Sequence, residues 1–211
     1  MIVVPDLASL AVFVAAALVL LLTPGPAVLY IVARSIDQGR RAGLVSMLGV
    51  HVGTLVHVGA AAAGVSALLA ASATAFSAVK YLGAGYLVYL GIRRLRHRTP
   101  AIAPGTPSRR RLRRAFLDGV VVNVLNPKTA LFFLAFLPQF IDHAVGSGAI
   151  SFLFLGSTFM VTGTIWCMII ALCASAFAEV LRDNPKNQRG FDLFAGILFI
   201  GMGAAILLIH L

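Results

Sequence analysis

Long apolar runs, separated by short connections that carry most of the basic residues, constrain this chain more than any other feature. The six runs cover residues 7–33, 43–69, 76–92, 115–141, 150–178 and 191–211. About 20 helical residues cross the hydrocarbon core of a bilayer, and only closed backbone hydrogen bonding is tolerated there. The pattern therefore predicts an all-α polytopic membrane protein, with six transmembrane helices in a single transmembrane domain over residues 1–211.

The composition excludes most soluble alternatives. Charged residues make up 11% of the chain, against about 25% in an ordinary soluble domain, so polar surface could not cover a soluble fold. The net charge of +10 does not indicate nucleic acid binding, because the arginines lie between apolar runs. We expect the lipid bilayer, and no nucleic acid, as a partner.

The positions of the basic residues predict the topology. Of the 17 Lys and Arg residues, 15 lie in three alternate connections: after the first run, between the third and fourth, and between the fifth and sixth. Basic connections remain in the cytoplasm. Both termini should therefore lie outside an inner membrane that the chain crosses several times.

The chain divides into two groups of three helices, at residues 1–93 and 115–211, joined by a basic cytoplasmic loop at 94–114. Because three is odd, the second group enters the membrane from the opposite side. The first helix of each group is interrupted by proline, at Thr23-Pro24-Gly25-Pro26 and at Asn126-Pro127-Lys128. Inverted repeats with paired helix breaks mark the binding sites of many secondary transporters. We therefore predict two inverted three-helix repeats whose first helices, the first and fourth of the chain, are broken.

Both breaks fall at one depth. Counted from the nearest cytoplasmic arginine at about 1.5 Å per residue, Pro24 and His51 lie about 15 Å deep, Asn126 about 18 Å and Lys80 about 20 Å. The hydrocarbon core is about 30 Å thick. These groups are therefore predicted to lie near the midplane of the membrane.

Each break resembles the start of a new half-helix, because Thr23 and Asn126 stand directly before a proline, as an N-cap does. The free N–H groups and positive dipole end of such a half-helix suit an anion. A substrate carboxylate would bind there and to Lys128, and its ammonium would meet carbonyls that the prolines free, near Leu21 and Leu22 or Val122. A plain proline kink is the alternative. The predicted substrate-binding residues are Thr23, Pro24, Gly25, Pro26, Asn123, Asn126, Pro127 and Lys128.

Proton coupling requires a titrating group, and the candidates are Lys128, His51, Lys80 and Asp118. A charge at the bilayer centre costs at least about 2.5–3.5 kcal/mol, so both lysines are interpreted as functional, with snorkelling to an interface as the alternative. His51 lies between two glycines, where a packed and hydrogen-bonded histidine is the alternative to a proton carrier. Asp118 follows the basic loop, where it would pair with arginines or line an entrance.

Two cysteines, Cys167 and Cys173, share one apolar run. Six residues apart on a helix, they point in different directions. They indicate neither a disulfide framework nor a metal site, and we expect no cofactor and no bound metal.

Six segments carry a family resemblance: residues 23–26 (TPGP), 39–43 (GRRAG), 80–87 (KYLGAGYL), 116–119 (FLDG), 123–128 (NVLNPK) and 132–140 (FFLAFLPQF). In this order they resemble the lysine exporter and homoserine/threonine exporter family (LysE/RhtB). The last third of the chain matches that family only in length and hydropathy.

The resemblance implies a secondary active exporter of amino acids or small derivatives in a bacterial inner membrane, driven by proton antiport with alternating access. A homo-oligomer is compatible with it. The depth estimates place no Asp or Glu near the midplane, so a dicationic substrate such as lysine would lack a deep carboxylate partner. We therefore predict neutral substrates.

Three alternatives remain. Other members of the superfamily export other solutes or metal ions, but a cadmium exporter would favour thiolate ligands, which the predicted midplane lacks. An intramembrane enzyme would need an activated nucleophile or a metal-bound water, and no motif for either occurs. A structural or assembly protein would leave the mid-membrane lysines unexplained.

The charge pattern makes a testable prediction about topology. Reporter fusions after Arg98 and after Leu211 should report opposite sides of the membrane, because the basic connections stay inside. Paired alkaline phosphatase and fluorescent protein fusions measure this, and the Arg98 fusion should be cytoplasmic. A cytoplasmic C-terminus would contradict both the topology and the inverted repeat.

Overall fold

The computed structural model describes residues 7–63, 73–96, 108–141, 148–182 and 185–208. Within these ranges the chain contains helices and no strand, which confirms the all-α prediction. The eight α-helices are α1 Leu7–Leu22, α2 Pro26–Gln38, α3 Arg40–Ala62, α4 Ala73–Arg96, α5 Arg109–Val124, α6 Pro127–Leu131, α7 Gly148–Arg182 and α8 Pro185–Leu208. A π-helical turn at Phe132–Phe136 and a 3₁₀ turn at Leu137–Phe140 continue α6.

Among the described residues, two segments are long and apolar enough to cross a membrane, Arg40–Ala62 and Ile150–Ala178. The pair α1 and α2 provides a third crossing if it is counted as one broken span, since the two helices meet at an angle of 53°. These features are those of a helical membrane protein. The full set of six crossings stays a prediction.

The first break follows from the chemistry of proline. Pro24 and Pro26 have no N–H, so neither can continue the α-helical ladder by donating to the carbonyl four residues earlier. Helix α1 therefore ends at Leu22 and α2 begins at Pro26. The predicted new half-helix is confirmed at this position.

The predicted role of Thr23 as the N-cap of α2 is wrong. The N-cap is Gly25, in an extended conformation and without a side-chain cap. The Thr23 hydroxyl instead donates to the Val19 carbonyl oxygen at 2.8 Å. A threonine at the end of a helix can bond back to the preceding turn, and here that bond is made within the helix that Thr23 follows.

The second break agrees with its prediction. Helix α5 ends at Val124, and α6 begins at Pro127 with Asn126 as its N-cap. The Asn126 Oδ1 accepts a hydrogen bond from the Lys128 backbone N–H at 3.1 Å. A proline in the first helical turn loses nothing here, because that N–H would have no partner within the helix.

Contacts between the helices have the pattern of two equivalent halves. Helices α1 and α2 both contact α7, and α5 and α6 both contact α3. Helix α3 also contacts α7, and α4 contacts α8. Exchanging the two halves maps the contacts of α1 and α2 with α7 onto those of α5 and α6 with α3, and leaves the α3–α7 and α4–α8 contacts unchanged. The inverted relation between the halves stays a prediction, which this pattern supports.

Glycines allow α3 and α5 to pack with their backbones in contact. A Cβ at Gly49 would lie 2.1 Å from the Phe116 carbonyl oxygen, and one at Gly119 would lie 2.7 Å from the Ser46 carbonyl oxygen. Small residues at helix crossings permit this approach in membranes. A Cβ at Gly53 would lie 2.8 Å from the Asn123 Cβ, so the same crossing brings Asn123 against α3.

The two ends of the bundle differ in chemistry. At one end, which we call the phenylalanine end, ring centroids of Phe132 lie 5.8 Å from Phe13 and 4.9 Å from Phe159. Val58 of α3 belongs to this apolar cluster. At the other end, the arginine end, Asp118 binds Arg34 and Arg93.

The crossing of α3 and α5 leads to a prediction about stability. The substitution Gly49→Ala should destabilise the fold by about 1–3 kcal/mol, because the added methyl group meets a backbone carbonyl that cannot move aside. The matched control is Gly59→Ala in the same helix, where no atom lies within 4 Å of the added Cβ position. Thermal midpoints in detergent, followed by size-exclusion chromatography, would compare them. Equal midpoints for the two variants would contradict the packing.

Candidate functional site

A cavity lies where the two helix breaks face α3 and α7. Its volume is about 50 Å³, several times the roughly 10–15 Å³ that one water molecule requires. Of the eight predicted substrate-binding residues, four line it: Gly25, Asn123, Asn126 and Lys128. The other four, Thr23, Pro24, Pro26 and Pro127, lie beside these in the chain and shape the breaks without lining the cavity. The structure thus brings both breaks to one place.

Asn123 is the most deeply buried polar residue of the cavity wall, with 2% of its surface exposed. Its Nδ2 donates to the Val50 carbonyl oxygen and to Thr54 Oγ1, each at 2.8 Å. Its Oδ1 accepts from Thr129 Oγ1 at 3.1 Å. Both polar groups of the amide are therefore satisfied, and they connect α3, α5 and α6 through one side chain.

Asn126 and Thr129 extend this network into α6. Asn126 Nδ2 donates to Thr129 Oγ1 at 3.0 Å, so the same side chain caps α6 and orients Thr129. Thr129 and Thr54 also line the cavity, although neither is among the residues predicted from the sequence. Thr129 lies three residues after the N-cap, which is the position that faces back toward a cap. The sequence indicates Thr54 less clearly: it lies three residues after His51, and therefore on the same face of the helix.

Lys128 connects the two breaks. Its Nζ donates to the carbonyl oxygens of Leu20 and Thr23 at the end of α1. The Leu20 carbonyl is the one to which Pro24 cannot donate. A Cβ at Gly25 would lie 3.2 Å from Lys128 Cδ, so the lysine side chain crosses directly over the glycine N-cap.

This arrangement bears on two expectations. The alternative in which Lys128 snorkels toward an interface does not describe this structure, because the ammonium is held at the opposite break. The carbonyl oxygens that accept from Lys128 are those of Leu20 and Thr23, close in the chain to the predicted Leu21 and Leu22.

His51 also lines the cavity, and its Nδ1 donates to the Met47 carbonyl oxygen of its own helix at 2.8 Å. A Cβ at Gly163 of α7 would lie 3.9 Å from His51 Nε2, so the ring faces α7 across the cavity. His57 has a structural role instead. Its Nε2 donates to the Asn123 carbonyl oxygen at 2.9 Å and its ring stacks on Phe133 at 6.1 Å.

The other two proton-coupling candidates lie elsewhere. Asp118 does not line the cavity. It binds Arg34 at 2.7 Å and Arg93 at 3.3 Å, and accepts from the Tyr86 hydroxyl at 3.3 Å. The expected pairing with arginines is thus confirmed. The backbone of Lys80 belongs to α4, but its side chain lies outside the described residues.

One face of α7 forms the apolar wall of the cavity, through Phe159, Met160, Gly163 and Cys167. The expectation that the midplane lacks a thiol is corrected by Cys167, while Cys173 is exposed. Within the described part of the chain, no group of three His, Cys, Asp or Glu side chains could hold a metal ion.

Comparison with known proteins identifies the family. The sequence profile of the family described as "LysE type translocator" matches residues 18–209. The chain belongs to this family. The predicted resemblance is therefore confirmed, and this LysE-type translocator is a membrane transporter.

Similar proteins from bacteria align over nearly its whole length. It is 32% identical over 187 residues to an "Uncharacterized membrane protein" of Vibrio cholerae serotype O1, with 89% of this chain and 90% of the relative aligned. It is 30% identical over 203 residues to a "Leucine efflux protein" of Enterobacter sp. (strain 638), with 94% of each aligned. A "Leucine efflux protein" of Salmonella typhimurium is 27% identical over 202 residues, with 92% of each aligned. No solved structure matches the chain.

The amide network leads to a prediction about Thr54. The substitution Thr54→Val keeps the shape of the side chain but leaves one Asn123 N–H without its acceptor, which should cost about 1–3 kcal/mol. Thr162→Val is the matched control, because that hydroxyl bonds only the Thr158 carbonyl oxygen of its own helix, at 2.9 Å. Thermal midpoints in detergent should fall for the first variant and change little for the second. A larger fall for Thr162→Val would contradict the assigned network.

Proposed function

We propose that this translocator exports neutral amino acids of the leucine class across the bacterial inner membrane by proton antiport, with both termini outside. The cavity between the two helix breaks is the main observation that supports this proposal. It combines carbonyl oxygens, a lysine, helical N–H groups and an apolar wall in one place. These are the groups that an amino-acid zwitterion with an apolar side chain requires.

Helix α2 supplies the site for the substrate carboxylate. Ala27 and Val28 line the cavity and precede the first hydrogen bond of the helix, from the Leu29 N–H to the Gly25 carbonyl oxygen at 3.0 Å. The N–H groups of a first turn have no partner in their own helix, and the helix dipole favours an anion there. Asn126 and Thr129 lie across the cavity from this turn.

The preference for neutral substrates rests on the charges around the cavity. Among the described residues, no Asp or Glu lines it, and Asp118 is already paired with two arginines. The second ammonium of lysine would be buried without a partner. A leucine side chain would instead contact the α7 face around Phe159 and Gly163. Two relatives named for leucine efflux support this choice.

Alternating access is supported by the two equivalent sets of helix contacts, with residues 1–93 and 115–211 as the moving halves. One half would rock against the other around the fixed cavity. The phenylalanine end and the arginine end would close in turn. Proton coupling would use Lys128 or His51, which line the cavity, in preference to Asp118 at the arginine end and Lys80.

A transport assay in liposomes tests the function. Purified protein in leucine-loaded liposomes should exchange internal leucine for radiolabelled leucine, at least about tenfold more strongly than it exchanges lysine, because an unpaired buried charge costs more than about 1–3 kcal/mol. A liposome interior that is more acidic than the medium and one that is more alkaline should change the net leucine flux in opposite directions. Protein-free liposomes are the control.

Other outcomes would separate the alternatives. Faster exchange of lysine than of leucine would contradict the proposed neutral substrate. Transport of cadmium without amino-acid exchange would favour the metal exporters of the superfamily. Exchange of leucine without any response to a pH gradient would contradict proton antiport but not leucine export.

A further inference from the structure

The ammonium group of Lys128 binds backbone carbonyl oxygens that the ammonium group of a substrate would also need. Its Nζ donates to the carbonyl oxygens of Leu20 and Thr23. Both carbonyls lie at the C-terminal end of α1, where unpaired carbonyls and the negative end of the helix dipole favour a cation. The pair therefore forms a binding site for a primary ammonium group, and Lys128 fills it from another element.

An amino-acid substrate carries the same primary ammonium group, with its carboxylate two bonds further along. In the cavity, the carbonyls of α1 are followed directly by the glycine N-cap and then by the first turn of α2. A cation site and an anion site thus lie side by side across Gly25. This pair of sites fits both charged groups of a zwitterion. It differs from the expectation that Lys128 itself binds the carboxylate.

On the basis of the proposed function, we infer that Lys128 and the substrate ammonium occupy the Leu20 and Thr23 carbonyls in alternation. Lys128 binds them as the ammonium ion. When it releases a proton to the cytoplasmic water, the neutral amine gives up the carbonyls and the substrate ammonium takes its place. After the substrate leaves on the other side, Lys128 accepts a proton from that side and binds the carbonyls again.

This alternation accounts for antiport without a carboxylate. Each cycle moves one zwitterionic substrate outward and one proton inward, so one positive charge enters per substrate exported. Proton and substrate exclude each other because both act through an ammonium group on the same two oxygens. Among the described residues, no carboxylate lines the cavity to offer a different proton site.

Other titratable groups around the cavity are few. From α3, His51 faces it, with Nδ1 donating to the Met47 carbonyl oxygen. From α7, Cys167 faces it. The lining residues of α1, α2 and α5 include no titratable side chain among those described, and the side chain of Lys80 on α4 lies outside the described part. Lys128 is therefore the cation in direct contact with the carbonyl pair.

Binding measurements on Lys128 variants test the inference. Radiolabelled leucine binding to detergent-purified wild-type protein should strengthen as the pH rises, by up to about tenfold per pH unit, because binding releases the Lys128 proton. The variant Lys128→Gln should bind leucine with no such pH dependence. Whatever leucine exchange it retains in liposomes should not respond to a pH gradient. Lys128→Arg keeps a permanent cation and should bind leucine at least about tenfold more weakly.

Arg113→Gln is the matched control, since it removes an exposed cation of α5 away from the cavity. It should behave like the wild type in every assay. Leucine binding by a well-folded Lys128→Gln variant that keeps the pH dependence of the wild type would overturn the alternation, while the proposed export function would stand. Absence of leucine exchange by the wild type would instead overturn the export function.

Substrate analogues provide a second measurement that needs no variant. Leucinamide keeps the ammonium and lacks the carboxylate, whereas 2-hydroxyisocaproate keeps the carboxylate and lacks the ammonium. If the ammonium competes with Lys128, the inhibition constant of leucinamide should fall as the pH rises toward about 7, where its own α-amino group is still charged, and that of the hydroxy acid should not. The reverse pattern would overturn the inference.

Discussion

The bond between Lys128 and the end of α1 is the interaction on which the site depends. Pro24 leaves the Leu20 carbonyl without a helical partner, and in a membrane such a group must be satisfied from elsewhere in the protein. Lys128 supplies the donor from the other half of the chain. Its own burial is in turn tolerated because two carbonyls accept its hydrogen bonds. Lys128 thus satisfies the carbonyl that the first break leaves unpaired, and the carbonyls of the first break stabilise the buried charge of Lys128.

The two breaks differ in how their half-helices are capped. Asn126 caps α6 with its side chain and belongs to a satisfied network with Asn123 and Thr129. Gly25 caps α2 with no side-chain bond, and only the Lys128 chain covers it. The side chain of Asn126 thus secures the second break, whereas Lys128 lies over the first. Under the proposed alternation, release of the lysine would free the helix end that binds the substrate.

The two ends of the bundle are held together by different interactions. At the phenylalanine end, apolar rings from α1, α7 and the turn after α6 pack together and exclude water. At the arginine end, one carboxylate, Asp118, binds Arg34 of α2 and Arg93 of α4, which joins three helices. Parting the rings exposes apolar surface, and parting the ion pairs exposes charges to water, where they are readily hydrated.

The sequence alone determined the class, the positions of both breaks and the family, because these depend on local or statistical properties: apolar run length, proline chemistry and motif order. Asn126 as a cap was also predictable, since a cap bonds within two residues. The tertiary structure decided three features: the direction of the Thr23 hydroxyl, the carbonyl partners of Lys128, and the position of Thr54, Thr129 and Cys167 in the cavity wall. Lys128 and Leu20 are 108 positions apart, and only the packing of α3 on α5 and of α7 on α1 and α2 brings such groups within hydrogen-bonding distance.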